Sequence, residues 1–194
     1  MKDVAEIKKL AEGLALDKTI LLEDIPKIDL YIDQVIQLFE TSFAETKRTD
    51  EEKILTKTMI NNYAKGKLFY PVQNKKYTRN HIMLIHLIYQ MKSVLSINDV
   101  KQVLDGLNER AEKEQLNLES FYESYLHIQQ GGVDFFKEGL DRQADLAKKE
   151  AAAMENPDEL EQVLLIASLV HTSNLYKRAA EKLVDDLVER RKLR

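Results

Sequence analysis

The stretch from Thr56 to Leu68 reads TKTMINNYAKGKL and carries the clearest local structural signals of the chain. Threonine is a common N-cap and glycine a common helix end, so a short helix is predicted between Thr56 and Gly66. Ile60 and Tyr63 lie on one side of that helix at the spacing of a buried face. The stretch therefore predicts a helix that packs on one side and offers cations and amides to solvent on the other.

The segments on either side of this helix have a definite order. Aromatic and β-branched residues flank an Asn-containing turn at 73–75, which predicts a short hairpin. Thr78 and Ser96 are placed to cap the two helices that follow. The predicted elements are a helix at 29–43, a polar loop at 44–53, the helix at 56–66, the hairpin at 69–78, and helices at 79–94 and 97–107. This order is the layout of a winged helix-turn-helix.

The charge is unevenly distributed along the chain. The net charge is −4 over 194 residues, yet residues 53–101 carry nine basic side chains and one acid, Asp99, for a net charge of +8. The other 145 residues carry 20 bases and 32 acids, for a net charge of −12. A local basic block is typical of nucleic-acid binding, and the alternative is a solvated lysine-rich surface.

The basic block contains side chains suited to reading DNA. An asparagine amide matches the donor and acceptor of adenine, while lysine, threonine and tyrosine contact phosphates. The hairpin brings further cations beside the helix, where a wing meets the DNA backbone. The candidate DNA-binding residues are Thr56, Lys57, Thr58, Asn61, Asn62, Tyr63, Lys65, Lys67, Lys75, Lys76, Tyr77 and Arg79.

Several stretches resemble regulators of the MerR type. Residues 56–68 resemble their recognition helix, Pro71 and residues 76–79 (KYTR) their wing, and residues 82–91 and 96–104 (SINDVKQVL) their third and fourth helices. This resemblance implies a DNA-binding fold with one helix in the major groove and a wing on the backbone. The chain departs from the pattern at Asn61, where those regulators usually place an arginine that holds a phosphate.

Two stretches are closer to an uncharacterised bacterial family, domain of unknown function 1836. They are residues 28–35 (IDLYIDQV) and 55–63 (LTKTMINNY). The resemblance covers about residues 24–107. Because that family has no established activity, the resemblance implies a fold more than a function.

The C-terminal half is predicted to be entirely helical. One helix at 118–130 ends at Gly131-Gly132, a second covers 133–154, and a third begins at Asn156-Pro157 and extends to Leu193. The run 163–166 is apolar on more than one side, which predicts a central place in a helical core. Two roles stay open: a bundle that dimerises the protein, or a small-molecule effector pocket lined by Phe121, Tyr122, Tyr125, Phe135, Phe136 and Tyr176.

The motifs of common enzymes are missing from the sequence. The chain has no cysteine, no glycine-rich phosphate loop and no zinc-protease or serine-hydrolase motif. The four histidines do not share one face, and His86 and His171 lie in apolar stretches that favour hydrogen-bonded core or interface positions. We therefore expect no enzymatic activity, no cofactor and no metal. The charged N-terminus and the lack of a membrane span favour the cytoplasm.

These observations predict a mostly α fold in three segments. Residues 1–23 form an N-terminal helix and linker, residues 24–107 a MerR-like winged helix-turn-helix domain, and residues 108–194 a helical dimerisation or effector domain. The predicted function is a homodimeric, sequence-specific transcriptional regulator that binds double-stranded DNA. The alternative is a helical protein-interaction or scaffold protein whose helix-turn-helix has lost DNA binding.

Overall fold

The computed structural model describes residues 4–193, so residues 1–3 and Arg194 of the predicted terminal segments lie outside the described residues. The described chain is mostly helical and carries one two-stranded antiparallel sheet, as predicted. Its helices are α1 (Val4–Gly13), α2 (Ile32–Ser42), α3 (Lys57–Lys65), α4 (Arg79–Met91), α5 (Ile97–Glu112), α6 (Leu118–Ala151) and α7 (Pro157–Lys192). Its strands are β1 (Leu30–Tyr31) and β2 (Lys76–Tyr77), and 3-10 turns cover Leu22–Asp24 and Ala44–Thr46.

The chain divides into two compact units, each made of two separate pieces of sequence. The larger unit comprises Lys18–Leu126 and Ala180–Arg194, and the smaller unit comprises Met1–Asp17 and His127–Ala179. Helices α6 and α7 therefore contribute residues to both units. No helix in the described part of the chain is both long enough and apolar enough to cross a membrane.

Three helix starts follow the predicted capping residues. The Thr56 side chain accepts a hydrogen bond from the Met59 backbone N–H at the start of α3, at 3.1 Å. The side chains of Thr78 and Ser96 accept corresponding bonds at the starts of α4 and α5. Each of these bonds gives a partner to a backbone N–H that has none within its own helix. The three capping residues predicted from the sequence are therefore confirmed.

The sheet differs from the predicted hairpin. Strand β2 pairs with β1, with Leu30 opposite Tyr77, rather than with the segment before the turn. Residues 69–72 form no strand, and a single bridge between Gln73 and Lys76 closes the turn. The proline in that segment has no N–H to donate to a ladder, which limits pairing there. The predicted turn is present, and the predicted strand partner is wrong.

Helix α4 lies at the centre of the larger unit. All its residues from His81 to Ile88 are buried, and they contact apolar side chains of α2, α3, α5 and the start of α6. Ile20, which the sequence predicts to lie in the N-terminal linker segment (1–23), and the following Ile25 are both in this core. The core thus extends from the first residues of the unit to Tyr122.

The smaller unit contains most of the two long helices. Helix α6 continues through Gly131-Gly132, so the predicted break there is wrong. Each glycine costs a helix only about 1 kcal/mol relative to alanine, which a helix of this length withstands. The predicted start of α7 at Pro157 is confirmed.

The apolar run of α7 is less buried than its composition predicts. Leu165 joins a small core with Leu140 of α6, whereas Val163 and Ile166 are each 54% exposed. His171 is exposed as well, so of the two predicted positions, core or interface, the core one is wrong. The core of the smaller unit contains Ala11 of α1, Leu140 of α6 and Leu165 of α7, and the side of α7 that carries Val163 and Ile166 lies outside it.

Candidate nucleic-acid interface

Helix α3 presents a continuous polar face to solvent. Its buried side places Ile60 and Tyr63 in the core of the larger unit, so the opposite side faces outward. Lys57, Asn61 and Lys65 lie one turn apart on that outer side. Thr58 and Asn62 are exposed beside them. The helix carries no acidic residue, so this face combines cations with amides and lacks negative charge.

The end of α3 places a further lysine in the solvent. The Leu68 backbone N–H donates to the Tyr63 carbonyl at 3.0 Å, closing a Schellman-type end. Lys67 occupies the left-handed position of that motif, with φ 56°, where glycine is the usual residue. A Cβ on Gly66 would approach Leu68 Cδ1 to 2.6 Å. Packing thus favours glycine at 66 and leaves the left-handed turn to the exposed Lys67.

The turn before β2 is also basic. Asn74 and Lys75 both have positive φ, at 51° and 58°, as the central residues of a tight hairpin turn do. Lys75 and Lys76 are exposed, and the Lys76 Nζ lies 5.7 Å from the centroid of the Tyr31 ring. The turn therefore holds two cations, one of them placed against an aromatic ring of the neighbouring strand.

The exposed lysines carry unneutralised charge. Within residues 4–193, the salt bridges involve none of Lys57, Lys65, Lys67, Lys75 and Lys76. An array of unpaired cations is suited to binding a nucleic acid, because each contact with a phosphate releases counterions from the nucleic acid.

Four of the sequence candidates are either buried or already engaged in bonds within the fold. Tyr63 and Tyr77 are buried, and burial raises the pKa of Tyr63 to about 12. Arg79 donates through Nε to Glu119 Oε1 at 2.6 Å and also to the Ile25 carbonyl. The Thr56 hydroxyl is engaged as the cap of α3. The exposed candidates are Lys57, Thr58, Asn61, Asn62, Lys65, Lys67, Lys75 and Lys76.

A buried histidine fixes the segment that carries the turn. The Nδ1 of His81 accepts from the Thr78 backbone N–H at 3.1 Å and lies 2.8 Å from the Thr78 hydroxyl, so its Nε2 donates to the Tyr70 carbonyl at 3.2 Å. Desolvation lowers the pKa of His81, which keeps the ring neutral and able to accept. The start of α4 is thereby tied to the chain on the other side of the basic turn.

One cation near α3 was not among the sequence candidates. The Nζ of Lys92 lies 4.8 Å from the centroid of the Tyr89 ring and 3.8 Å from Met59 Sδ. Burial lowers the pKa of this lysine. Lys92 belongs to the basic block at 53–101, and this was the signal in the sequence that could have identified it. Its position beside α3 follows only from the packing of α4 on α3.

The predicted effector-pocket residues fall in two places. Phe121 and Tyr125 line a cleft in the larger unit, and Tyr122 is buried in the core of that unit. The remaining three, Phe135, Phe136 and Tyr176, belong to the smaller unit and are exposed.

The fold and this surface define a mostly helical protein with a small antiparallel sheet and an exposed, lysine-rich helix face. Residues 20–125 match the family described as Domain of unknown function (DUF1836), and the chain belongs to that family. This confirms the closer of the two resemblances read from the sequence. Searches of curated proteins and of solved structures found no match.

Proposed function

We propose that the protein is a sequence-specific transcriptional regulator that binds double-stranded DNA through a MerR-like winged helix-turn-helix. In this proposal α3 enters the major groove and the turn at 73–76 acts as the wing. The observation that carries the proposal is the outer face of α3, which joins exposed amides and unpaired lysines without an acid. Such a regulator would act in the cytoplasm, together with its DNA.

The exposed candidates divide into two roles. Asn61 and Asn62 are the base readers, because an amide pairs with N6 and N7 of adenine. Lys65, Lys67 and the lysines of the turn hold phosphates and set the orientation of the helix. As a homodimer, the protein would read two half-sites about 34–36 Å apart.

The two roles predict different losses on mutation. Genome-wide binding of the tagged protein supplies the cognate site, and fluorescence anisotropy then measures affinity for that site and for a random duplex. Asn61→Ala or Asn62→Ala should weaken cognate binding by about 1–3 kcal/mol while changing random binding little. Lys76→Ala should weaken both alike and reduce the log–log salt slope by about 0.9.

A matched lysine serves as the control for the charge effect. Lys113, the residue after α5, is exposed and paired with Glu109 at 2.6 Å, so its charge is already balanced, and it was not among the candidate DNA-binding residues. Lys113→Ala should leave both affinities and the salt slope unchanged. Absence of binding to any duplex at low salt would refute the proposal.

A second function is favoured by one observation on the smaller unit. Val163, Ile166 and Val170 of α7 are all more than half exposed. Adjacent exposed apolar side chains are typical of protein–protein contact surfaces. A helical interaction or scaffold protein would use such a surface and would show no duplex binding, so the anisotropy measurement separates the two functions.

A further inference from the structure

A cleft of about 440 Å³ lies in the larger unit, between α4, α5, the start of α6 and the end of α7. Its volume falls within the range of about 300–1,000 Å³ that is common for small-ligand sites. Nine of its eleven lining residues are apolar or aromatic, and the other two are Arg110 and Arg191. The lining contains no carboxylate side chain.

The two arginines bind to backbone carbonyls on neighbouring turns of α5. The Arg110 Nε donates to the Gly106 carbonyl at 3.1 Å. The Arg191 guanidinium donates to the carbonyls of Gln102 and Val103, one turn earlier on the same helix. The absence of a side chain at Gly106 leaves room for this approach, since a Cβ there would be in tight contact, at 3.2 Å, with an Arg191 terminal nitrogen.

Neither guanidinium is held in a salt bridge: in the described part of the chain, the salt bridges include neither Arg110 nor Arg191. Carbonyl groups supply only partial negative charge, so both full positive charges remain beside the apolar walls. An anionic group is therefore the complement that this edge of the cleft lacks.

The walls of the cleft provide an apolar surface that is open to solvent. Phe121 is 41% exposed, whereas Leu104 is almost completely buried. Burial raises the pKa of Tyr125 to about 12, so its hydroxyl adds no negative charge. An apolar chain or ring would displace water from these walls, which is favourable in proportion to the area covered.

We propose that this cleft binds a small amphipathic organic acid: an apolar chain or ring that ends in one carboxylate. The apolar part covers the walls, and the carboxylate pairs with Arg110 and Arg191. The ligand would join the end of α7 to α4 and α5 within the larger unit. This site does not depend on DNA binding, so either proposal can fail alone.

The test uses decanoate as the probe and decan-1-ol as its uncharged counterpart. Isothermal titration calorimetry on the full chain should show one decanoate per chain, bound at least tenfold more tightly than decan-1-ol. Arg110→Gln should weaken decanoate binding about tenfold and leave decan-1-ol binding unchanged, because only the carboxylate uses the guanidinium. Lys113→Gln, which removes a cation outside the cleft lining, should change neither affinity.

A second variant tests whether the probes bind in this cleft, by reducing the volume of the cleft. Leu107 lines the cleft and is only partly buried, so Leu107→Phe should fill it and abolish binding of both probes while the protein still unfolds cooperatively. Equal affinities for decanoate and decan-1-ol, no decanoate binding, or unchanged decanoate binding in Arg110→Gln would each overturn the proposal. Unchanged binding in a folded Leu107→Phe variant would overturn the assignment to this cleft.

Discussion

At the scale of single residues, a buried polar triad connects distant parts of the larger unit. The Tyr122 hydroxyl donates to the Ile20 carbonyl at 2.7 Å, so it accepts from the Nδ1 of His86 at 2.5 Å. The Nε2 of His86 is then unprotonated and accepts from the Gln90 amide at 3.1 Å. Every nitrogen of the imidazole is satisfied only in the neutral form, which fixes its tautomer.

This arrangement predicts a dependence of stability on pH. Burial lowers the pKa of His86 to about 3 and also lowers that of His81, while the unfolded chain titrates at about 6.5. Below pH 6.5 the unfolded chain takes up protons that the folded chain does not. The contribution of these two histidines to the free energy of unfolding should therefore be complete above about pH 6.5. As the pH drops below 6.5, the free energy of unfolding should decrease by at most about 1.4 kcal/mol per pH unit for each histidine.

Urea unfolding at pH 7, 6 and 5 measures this loss. His86→Gln should reduce the pH slope, because one of the two contributing groups is gone. His127→Gln, at an exposed position of α6, is the matched control and should keep the full slope. If His86→Gln retains the slope of the unmodified chain, the assignment to this histidine is wrong.

At the scale of elements, the sequence predicted correctly the helix starts, which depend on local signals, and incorrectly the strand pairing, which depends on long-range contacts. The starts of α3, α4 and α5 followed from capping side chains that act within three residues. The partner of β2 did not follow, since Leu30 and Tyr77 are far apart in sequence. The same reasoning applies to the candidate interface. The polar face of α3 was readable from helical spacing, whereas the pairing of Arg79 with Glu119 depends on where α6 packs.

The end of α3 predicts opposite effects for two neighbouring lysines. Lys67 has positive φ, a conformation that costs a side-chain-bearing residue roughly 1–2 kcal/mol, so Lys67→Gly should stabilise the protein by about 1 kcal/mol. Lys65 is within the helix, where glycine is unfavourable, so Lys65→Gly should destabilise it by about 1 kcal/mol. Both variants lose one cation, so charge alone predicts no difference. Urea unfolding of the pair tests the sign, and two changes of the same sign would contradict it.

At the scale of the whole molecule, α7 exposes an apolar face to solvent, which we expect to serve for self-association. Val163, Ile166 and Val170 are 54%, 54% and 55% exposed, and they lie opposite the buried Leu165. They repeat at three- and four-residue spacing, which is the spacing of a helix-pairing seam. A two-fold contact between copies would cover this apolar stripe.

We therefore expect the protein to form a homodimer, and we expect a single charged side chain introduced on this face to dissociate it. Light scattering at micromolar concentration should give twice the chain mass of 22.5 kDa, and Ile166→Lys should return that single-chain mass. His171→Lys, at an exposed position outside the stripe, should leave the dimer intact. A single-chain mass for the unmodified protein, with no change on adding DNA, would refute self-association.

The discontinuous make-up of the larger unit has a consequence for biosynthesis. Its residues Ala180–Arg194 follow the whole smaller unit in the sequence, and Leu187 and Arg191 of this stretch line the cleft beside α4 and α5. A nascent chain emerges from the ribosome in order, from N-terminus to C-terminus. The larger unit cannot complete its folding until those turns of α7 have emerged, so its residues from Lys18 to Leu126 must wait until the smaller unit has been synthesised.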